Sequence, residues 1–150
     1  MAEPLPSTPP VQASREAARA GRGIVLVLRV LGCVDLLALA AVVMPRVWLA
    51  RGHAWAGLGE LPPGPLVGYL CCSASLLYAL HGATGLFVSC DLPRYERLLT
   101  FLAAAALVHG AVMLGIDLAK GMPPWWTAVE GPCFPATGAA VLVLQWLAGR

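Results

Sequence analysis

Charged side chains are scarce in this sequence, and the patterns of several large protein classes are missing. Only 12% of its 150 residues are charged, about half the proportion found in soluble domains. The net charge is +2 and no Lys/Arg-rich block occurs. The sequence therefore lacks the cluster of basic residues that is typical of nucleic-acid-binding proteins. The chain also lacks a nucleophile elbow, a P-loop, a Rossmann glycine motif and an H-E-x-x-H metal helix. These absences argue against a conventional soluble enzyme.

Regularly spaced cysteines are lacking as well. An odd number of cysteines without regular spacing argues against a disulfide framework. Most of them lie within or at the ends of apolar stretches, where a thiol acts as a small apolar packing group. A metal or redox role is the alternative. The five are Cys33, Cys71, Cys72, Cys90 and Cys133.

Apolar residues, by contrast, make up 59% of the chain and raise its mean hydropathy to +0.75. They concentrate in four stretches, about 24–44, 66–90, 98–118 and 133–148. Three stretches reach the length of about 20 residues that a helix needs to cross a hydrocarbon core of about 30 Å. The fourth is shorter and carries Pro135 in its first turn, where proline is tolerated. We therefore predict an all-α integral membrane protein, an up-and-down antiparallel four-helix bundle over residues 23–150.

The segments outside the apolar stretches complete this prediction. Residues 1–22 open with four prolines and are predicted to be a disordered cytoplasmic segment, with a short helix possible at 14–20. Residues 38–40 (Ala-Leu-Ala) mimic a signal-peptide cleavage site. However, the charged Arg29 and Asp35 within the first stretch favour a retained span.

Three connections separate the predicted spans. The short turn 91–97 predicts that spans 2 and 3 form an antiparallel helical hairpin. In the loop 45–65, the sequence RVWLARGHAWAGL is able to lie along the membrane interface. Loop 120–132 contains Pro-Pro-Trp-Trp, and we interpret His53 and Glu130 as solvated loop residues.

The distribution of basic residues predicts which way round the protein lies. Six are placed inside and three outside if both termini are cytoplasmic, which satisfies the positive-inside rule. The inner set is Arg15, Arg19, Arg22, Arg94, Arg97 and Arg150, and the outer set is Arg46, Arg51 and Lys120. The outer loops also hold Trp48, Trp55, Trp125 and Trp126, which are predicted to form an interfacial belt. Nine arginines against one lysine, with no asparagine, suggest a GC-rich bacterial genome and hence a bacterial inner membrane.

Ionisable residues inside the spans are rare and by default indicate function. At a rise of 1.5 Å per residue, Asp35 and His109 lie about 18 Å from the inner ends of their spans, and His81 about 14 Å. All three have small residues on their helix face, which favours close helix packing. We predict that they face inward as one buried polar cluster. At its periphery we place Tyr78, Thr84, Gln145 and Asp117, while Arg29 is near enough to the inner end to snorkel there.

Two interpretations of this cluster stay open. Its residues either only join the helices, or they form a site for a proton, a quinone, a lipid or a small hydrophobic ligand. Haem is a further possibility because two histidines can supply both axial ligands, but Tyr78 and Thr84 crowd the face of His81. No cofactor or metal is predicted. Asp117 is interpreted as an interfacial charge that pairs with Lys120 at i+3, with a role in ligand access as the alternative.

Residues 29–49, 69–90 and 94–126 resemble a small bacterial four-span membrane family, similar to the broad DoxX-like group. The resemblance covers most of residues 24–148 and rests on general layout. It implies a four-helix membrane fold and a link to membrane redox and quinone chemistry. It assigns no site residue in this chain.

The preferred functional hypothesis is a non-enzymatic or accessory inner-membrane protein that binds a hydrophobic molecule or a membrane partner, including a second copy of itself. The alternative is a quinone-linked redox component that uses Asp35, His81 and His109 as a proton relay. A transporter or channel is a third class, which the absence of an internal repeat disfavours.

Overall fold

The computed structural model describes residues 11–149, and all regular secondary structure within them is helical. The helices are α1 (Val11–Leu36), α2 (Leu39–Val42), α3 (Arg46–Trp55), α4 (Leu66–Val88), α5 (Glu96–Lys120) and α6 (Pro124–Ala148). Four segments are long and apolar enough to cross a membrane. Span 1 consists of α1 from Arg15 together with α2, and spans 2, 3 and 4 are α4, α5 and α6. The prediction of an all-α, four-span membrane protein is confirmed.

Span 4 begins nine residues before the predicted start at 133, because α6 begins at Pro124. Proline suits the first turn of a helix, where its missing N–H has no intrahelical partner. Pro132 and Pro135 then lie inside the helix, which membrane helices tolerate when neighbouring groups satisfy the freed carbonyls. The interpretation of 120–132 as a loop is therefore wrong for most of its length, and Glu130 is a helical residue.

Span 1 differs from its prediction at both ends. Residues 11–22, assigned to the disordered N-terminal segment, are helical and continuous with the span, as their alanine content favours. Residues 1–10, which include the predicted proline-rich disorder, lie outside the described residues. At the other end α1 stops at Leu36, and the backbone N–H groups of Leu37 and Ala38 bond three residues back, at 3.0 and 3.1 Å. Such tightened turns interrupt an α-helix.

The close helix pairs are α5 with α6, α1 with α4, α1 with α6, and α2 with α4. Helices α4 and α5 are not among them, although only a short turn joins the two. The predicted hairpin of spans 2 and 3 therefore exists as a connection in the chain but not as a tightly packed pair. Towards the end of the bundle where α1 begins, Ile24, Val88, Leu99, Ala103 and Val141 form a buried apolar cluster.

Glycines set the distance between the paired helices. A Cβ atom on Gly32 would lie 2.8 Å from the carbonyl oxygen of Gly82, and one on Gly82 would lie 2.6 Å from that of Gly32. On the other side of the bundle, a Cβ on Gly110 would collide with the Pro135 ring, and one on Gly138 with the backbone of Ala103. Small residues allow this approach in membranes, where helices associate largely through packing.

The end of the bundle opposite the start of α1 is covered by α3 and by tryptophans. The Arg46 guanidinium donates to the carbonyls of Pro62 and Gly64, at 2.8 Å each. The Trp125 indole donates to the carbonyl of Ala56 at 3.2 Å. The ring centroids of Trp55 and Trp125 are 6.4 Å apart, and those of Trp125 and Trp126 are 5.5 Å apart. Three of the four predicted outer tryptophans thus form one cluster.

Candidate functional site

The imidazole of His81 and the carboxylate of Asp35 meet across the contact between α4 and α1. His81 Nδ1 lies 2.8 Å from Asp35 Oδ2, and because a carboxylate only accepts hydrogen bonds, Nδ1 is the donor. The Asp35 side chain is 21% exposed and that of His81 is 58% exposed. The contact between Gly32 and Gly82 lies one turn or less away on each helix, so helix packing positions the pair.

His109 does not join this pair. Within residues 11–149 the only ion pair is that of Asp35 with His81, and no hydrogen bond links His109 to either residue. Instead the His109 ring makes an edge contact with Phe134 of α6, with ring centroids 4.4 Å apart. The hydrogen bond therefore joins two of the three predicted residues, Asp35 and His81, while His109 packs against Phe134.

Both histidines line one cavity of about 360 Å³ between α4 and α5, which we call the α4–α5 groove. Its α4 wall includes Leu77, Tyr78 and His81. Its α5 wall includes Leu102, Ala106 and His109, and Phe134 of α6 lies between the two walls. Both histidines are exposed, so the groove opens on the outside of the bundle, where a membrane protein meets lipid.

A second cavity of about 190 Å³ lies inside the bundle, with Asp35 on its wall. His81, Leu102, Ala106 and Phe134 line both this cavity and the groove. His81 therefore stands between the lipid side and the interior, with its carboxylate partner on the interior side.

Glu130 is a site residue that sequence reasoning missed. Its Oε1 atom lies 3.5 Å from the Tyr78 hydroxyl, a long hydrogen bond, and its Oε2 atom accepts a hydrogen bond from the Trp126 indole. The Tyr78 ring also stacks on Phe134 at 6.5 Å between centroids. Glu130 thus lies beside the end of the groove that Tyr78 occupies. The one sequence signal that favours a helix here is Pro124, since proline suits the first position of a helix, but it does not by itself distinguish a helix start from a turn.

Of the predicted peripheral residues, only Tyr78 lines the groove. The Thr84 hydroxyl donates to the Leu80 carbonyl of its own helix at 2.9 Å. The Gln145 amide donates to the Thr100 hydroxyl at 3.0 Å, between α6 and the first part of α5. The Thr84 hydrogen bond thus stays within α4, and the Gln145 hydrogen bond joins α5 and α6 away from the Asp35–His81 pair.

Asp117 is buried rather than interfacial. Its exposure is 2%, and its Oδ2 atom has no hydrogen-bond partner in the part of the chain that the structure describes. The prediction of a pair with Lys120 is wrong, because no ion pair joins the two within residues 11–149. The side of α5 that carries Asp117 packs against protein, whereas Lys120 is exposed.

The remaining side chains offer no gathered metal ligands among the described residues, where no group of three His, Cys, Asp or Glu side chains comes together. All five cysteines are free thiols. The site is therefore an apolar groove with an acid-paired histidine, a second histidine, and a carboxylate at one end.

Comparisons with models of protein families, with curated proteins and with solved structures found no match for this chain. The resemblance to the DoxX-like group stays a prediction.

Proposed function

We propose that this multi-pass membrane protein binds a hydrophobic small molecule in the α4–α5 groove and acts as a binding or accessory protein rather than as an enzyme. The observation that carries the proposal is the groove itself, an apolar cavity of about 360 Å³ with histidines on both walls. Small-molecule sites typically measure about 300–1,000 Å³ and combine apolar walls with a few polar groups.

Two kinds of side chain in the groove have different roles in binding the ligand. Leu77, Leu102 and Ala106 contact the apolar body of the ligand, and burial of that surface provides most of the affinity. His81 and His109 orient its polar atoms. Because Asp35 engages Nδ1 of His81, Nε2 is the ring nitrogen left to face a ligand. The carboxylate thereby fixes both the tautomer and the ring orientation.

The proposal includes an orientation in a bacterial inner membrane with both termini in the cytoplasm. Arg15, Arg19 and Arg22 support it, since all three are exposed on the N-terminal part of α1 and favour the cytoplasmic side. Single cysteines in a cysteine-free background, labelled in intact cells with a membrane-impermeant thiol reagent, test it. We expect labelling in the segment 57–64 and none at residue 93, and the reverse pattern would contradict the orientation.

A second candidate is a quinone-linked redox component, which the Asp35–His81 pair favours. A quinone carbonyl accepts a hydrogen bond, and His81 in its doubly protonated form would donate one from Nε2 and pass that proton while Nδ1–H stays bonded to Asp35. This candidate requires that the bound ligand is a quinone. In that case the molecule bound to the purified protein must show the absorbance change of a quinone on reduction by borohydride.

The first proposal is tested by filling the groove with a larger side chain. Ala105 lines it, whereas the neighbouring Ala104 is exposed and lines no described cavity. Wild-type protein, Ala105→Trp and Ala104→Trp are purified in mild detergent, and their bound small molecules are identified by mass spectrometry. We expect the same hydrophobic molecule with wild type and Ala104→Trp, and at least a fivefold lower yield with Ala105→Trp, about 1 kcal/mol of affinity. Equal yields of the bound molecule with both variants would contradict the proposal.

A further inference from the structure

Glu130 is the carboxylate beside the groove that lacks a charged partner. Both of its hydrogen bonds come from neutral donors, the Tyr78 hydroxyl and the Trp126 indole. Among the described residues, no lysine, arginine or histidine forms an ion pair with Glu130. An ionised group in a membrane span is costly unless an opposite charge compensates it.

The two carboxylates near the groove differ in this respect. Asp35 has His81 as its partner at 2.8 Å, so its charge can be balanced by the protein itself. No lysine or arginine lines the groove in the described part of the chain. The Tyr78 end of the groove therefore has a carboxyl group without a basic side chain from the protein, and a cationic ligand would supply the missing partner.

Aromatic rings surround the same end of the groove. Tyr78 and Phe134 stack at 6.5 Å, and Phe134 contacts the His109 ring at 4.4 Å. The faces of tyrosine and phenylalanine attract cations, and the attraction grows where water is excluded. A carboxylate next to aromatic rings, at the end of an apolar cavity, provides charge compensation, ring faces and apolar walls together.

We propose that the ligand of the α4–α5 groove is an amphipathic organic cation whose charged centre lies by Glu130 and Tyr78 and whose apolar body fills the cavity between α4 and α5. The proposal rests on the proposed function, because it specifies the charge of the molecule that the groove binds. It concerns binding alone and involves no covalent or redox step.

The experiment compares a cation with a neutral molecule of similar shape. Purified full-length protein in detergent is titrated with tetraphenylphosphonium and, separately, with neutral triphenylphosphine oxide. The variants are Glu130→Gln, which removes the charge and keeps one of the two oxygen acceptors, and Glu60→Gln, which changes an exposed acidic residue between α3 and α4. We expect Glu130→Gln to weaken phosphonium binding by about tenfold or more and to leave binding of the neutral compound within about twofold. Glu60→Gln should change neither.

The outcomes separate this proposal from the one it rests on. If wild type binds both compounds equally, or if Glu130→Gln leaves phosphonium affinity unchanged, the cation assignment is wrong while hydrophobic binding in the groove stands. If Ala105→Trp leaves the affinity of both compounds unchanged, binding in the groove itself is wrong. Should Glu130→Gln fail to fold, the wild-type comparison decides alone: a preference below about threefold for the cation, less than 1 kcal/mol, overturns the proposal.

Discussion

The contact between two neighbouring spans is called a seam below. The bundle has two kinds of seam, and they differ in which residues face each other. Where α1 meets α4 and where α5 meets α6, glycines face backbone atoms or a proline ring, and the helices touch. Where α4 passes α5, larger side chains such as Leu77, Tyr78 and His109 line a cavity instead. The seam between α4 and α5 is thus the open one although a short turn joins them, whereas α5 and α6, which are also consecutive in the chain, pack tightly.

The difference shows that chain connection and helix packing are separate properties in this protein. A short turn brings the ends of α4 and α5 together, but glycine contacts hold each of them to a different partner. The bundle therefore consists of two tight pairs, joined through the contact of α1 with α6. Polar residues follow the same division, since the Asp35–His81 bond lies on a tight seam and His109 faces the open one.

The largest effect is expected from a side chain added to the α5–α6 seam. Gly110→Val places its Cβ against the Pro135 ring and the Gly131 carbonyl, neither of which can rotate away, and should cost about 3 kcal/mol. Unfolding in mixed micelles with increasing sodium dodecyl sulfate measures the loss. Gly115→Val on the same helix is the control, because no atom lies within 4 Å of its added Cβ. Equal losses in the two variants would contradict a glycine-dependent seam.

A smaller loss is expected on the α1–α4 seam. In Gly82→Ala the new methyl group meets the Gly32 carbonyl at 2.6 Å and the Asp35 Cβ at 2.7 Å, so the helices must separate. We expect a cost of about 1–2 kcal/mol, and a shift in the NMR signals of the His81 ring as Asp35 moves away. Gly68→Ala on the same helix has open space around the added atom and should leave both readouts unchanged.

The Asp35–His81 bond is expected to contribute less than the packing around it. A double-mutant cycle of Asp35→Asn and His81→Gln should give a coupling energy of about 0.5–1.5 kcal/mol, the range measured for hydrogen bonds between membrane helices. The unfolding assay above provides the four free energies. Strict additivity of the two substitutions would mean that the contact has no energetic role.

The smallest effect is expected in the open seam. Ala105→Phe enters the α4–α5 groove and should change the free energy of unfolding by no more than about 0.5 kcal/mol. Ala103→Phe, two residues earlier, replaces a side chain that is buried and should be strongly destabilising. If both variants lose stability to the same extent, the groove is closed in the folded protein and the contrast between the seams is wrong.

The number of spans was predictable from the sequence, because a chain in lipid must satisfy its backbone internally and long apolar runs leave only the helix. The convergence of Asp35 with His81 was predictable in part, since helix rise estimates the depth of each residue. His109 shows the limit of that method. The position of a residue along its helix gives the depth of its side chain in the membrane. It does not give the direction in which that side chain points around the helix axis.

Glu130 could not be placed from the sequence for another reason. The stretch from Pro123 to Trp126 contains the signals of a turn, and paired prolines usually end regular structure. The same Pro124 equally suits the first turn of a helix, and only tertiary packing decides between the two. The burial of Asp117 was likewise hidden, because the nearby Lys120 offered a simple pairing at i+3.

The interruption of span 1 after Leu36 has a consequence for how the protein fits membranes of different thickness. The span runs over 28 residues, but its first part carries Arg15, Arg19 and Arg22, and the apolar part from Ile24 to Val42 covers about 28 Å at 1.5 Å per residue, close to a hydrocarbon thickness of about 30 Å. A mismatch with a thinner or thicker bilayer is absorbed by tilt or bending, and the turn at residues 37–38 is the place where bending costs least. The Gly32 contact and Asp35 lie on the α1 side of that turn. A thinner or thicker bilayer therefore changes the inclination of α2 and leaves the distance between Asp35 and His81 as it is.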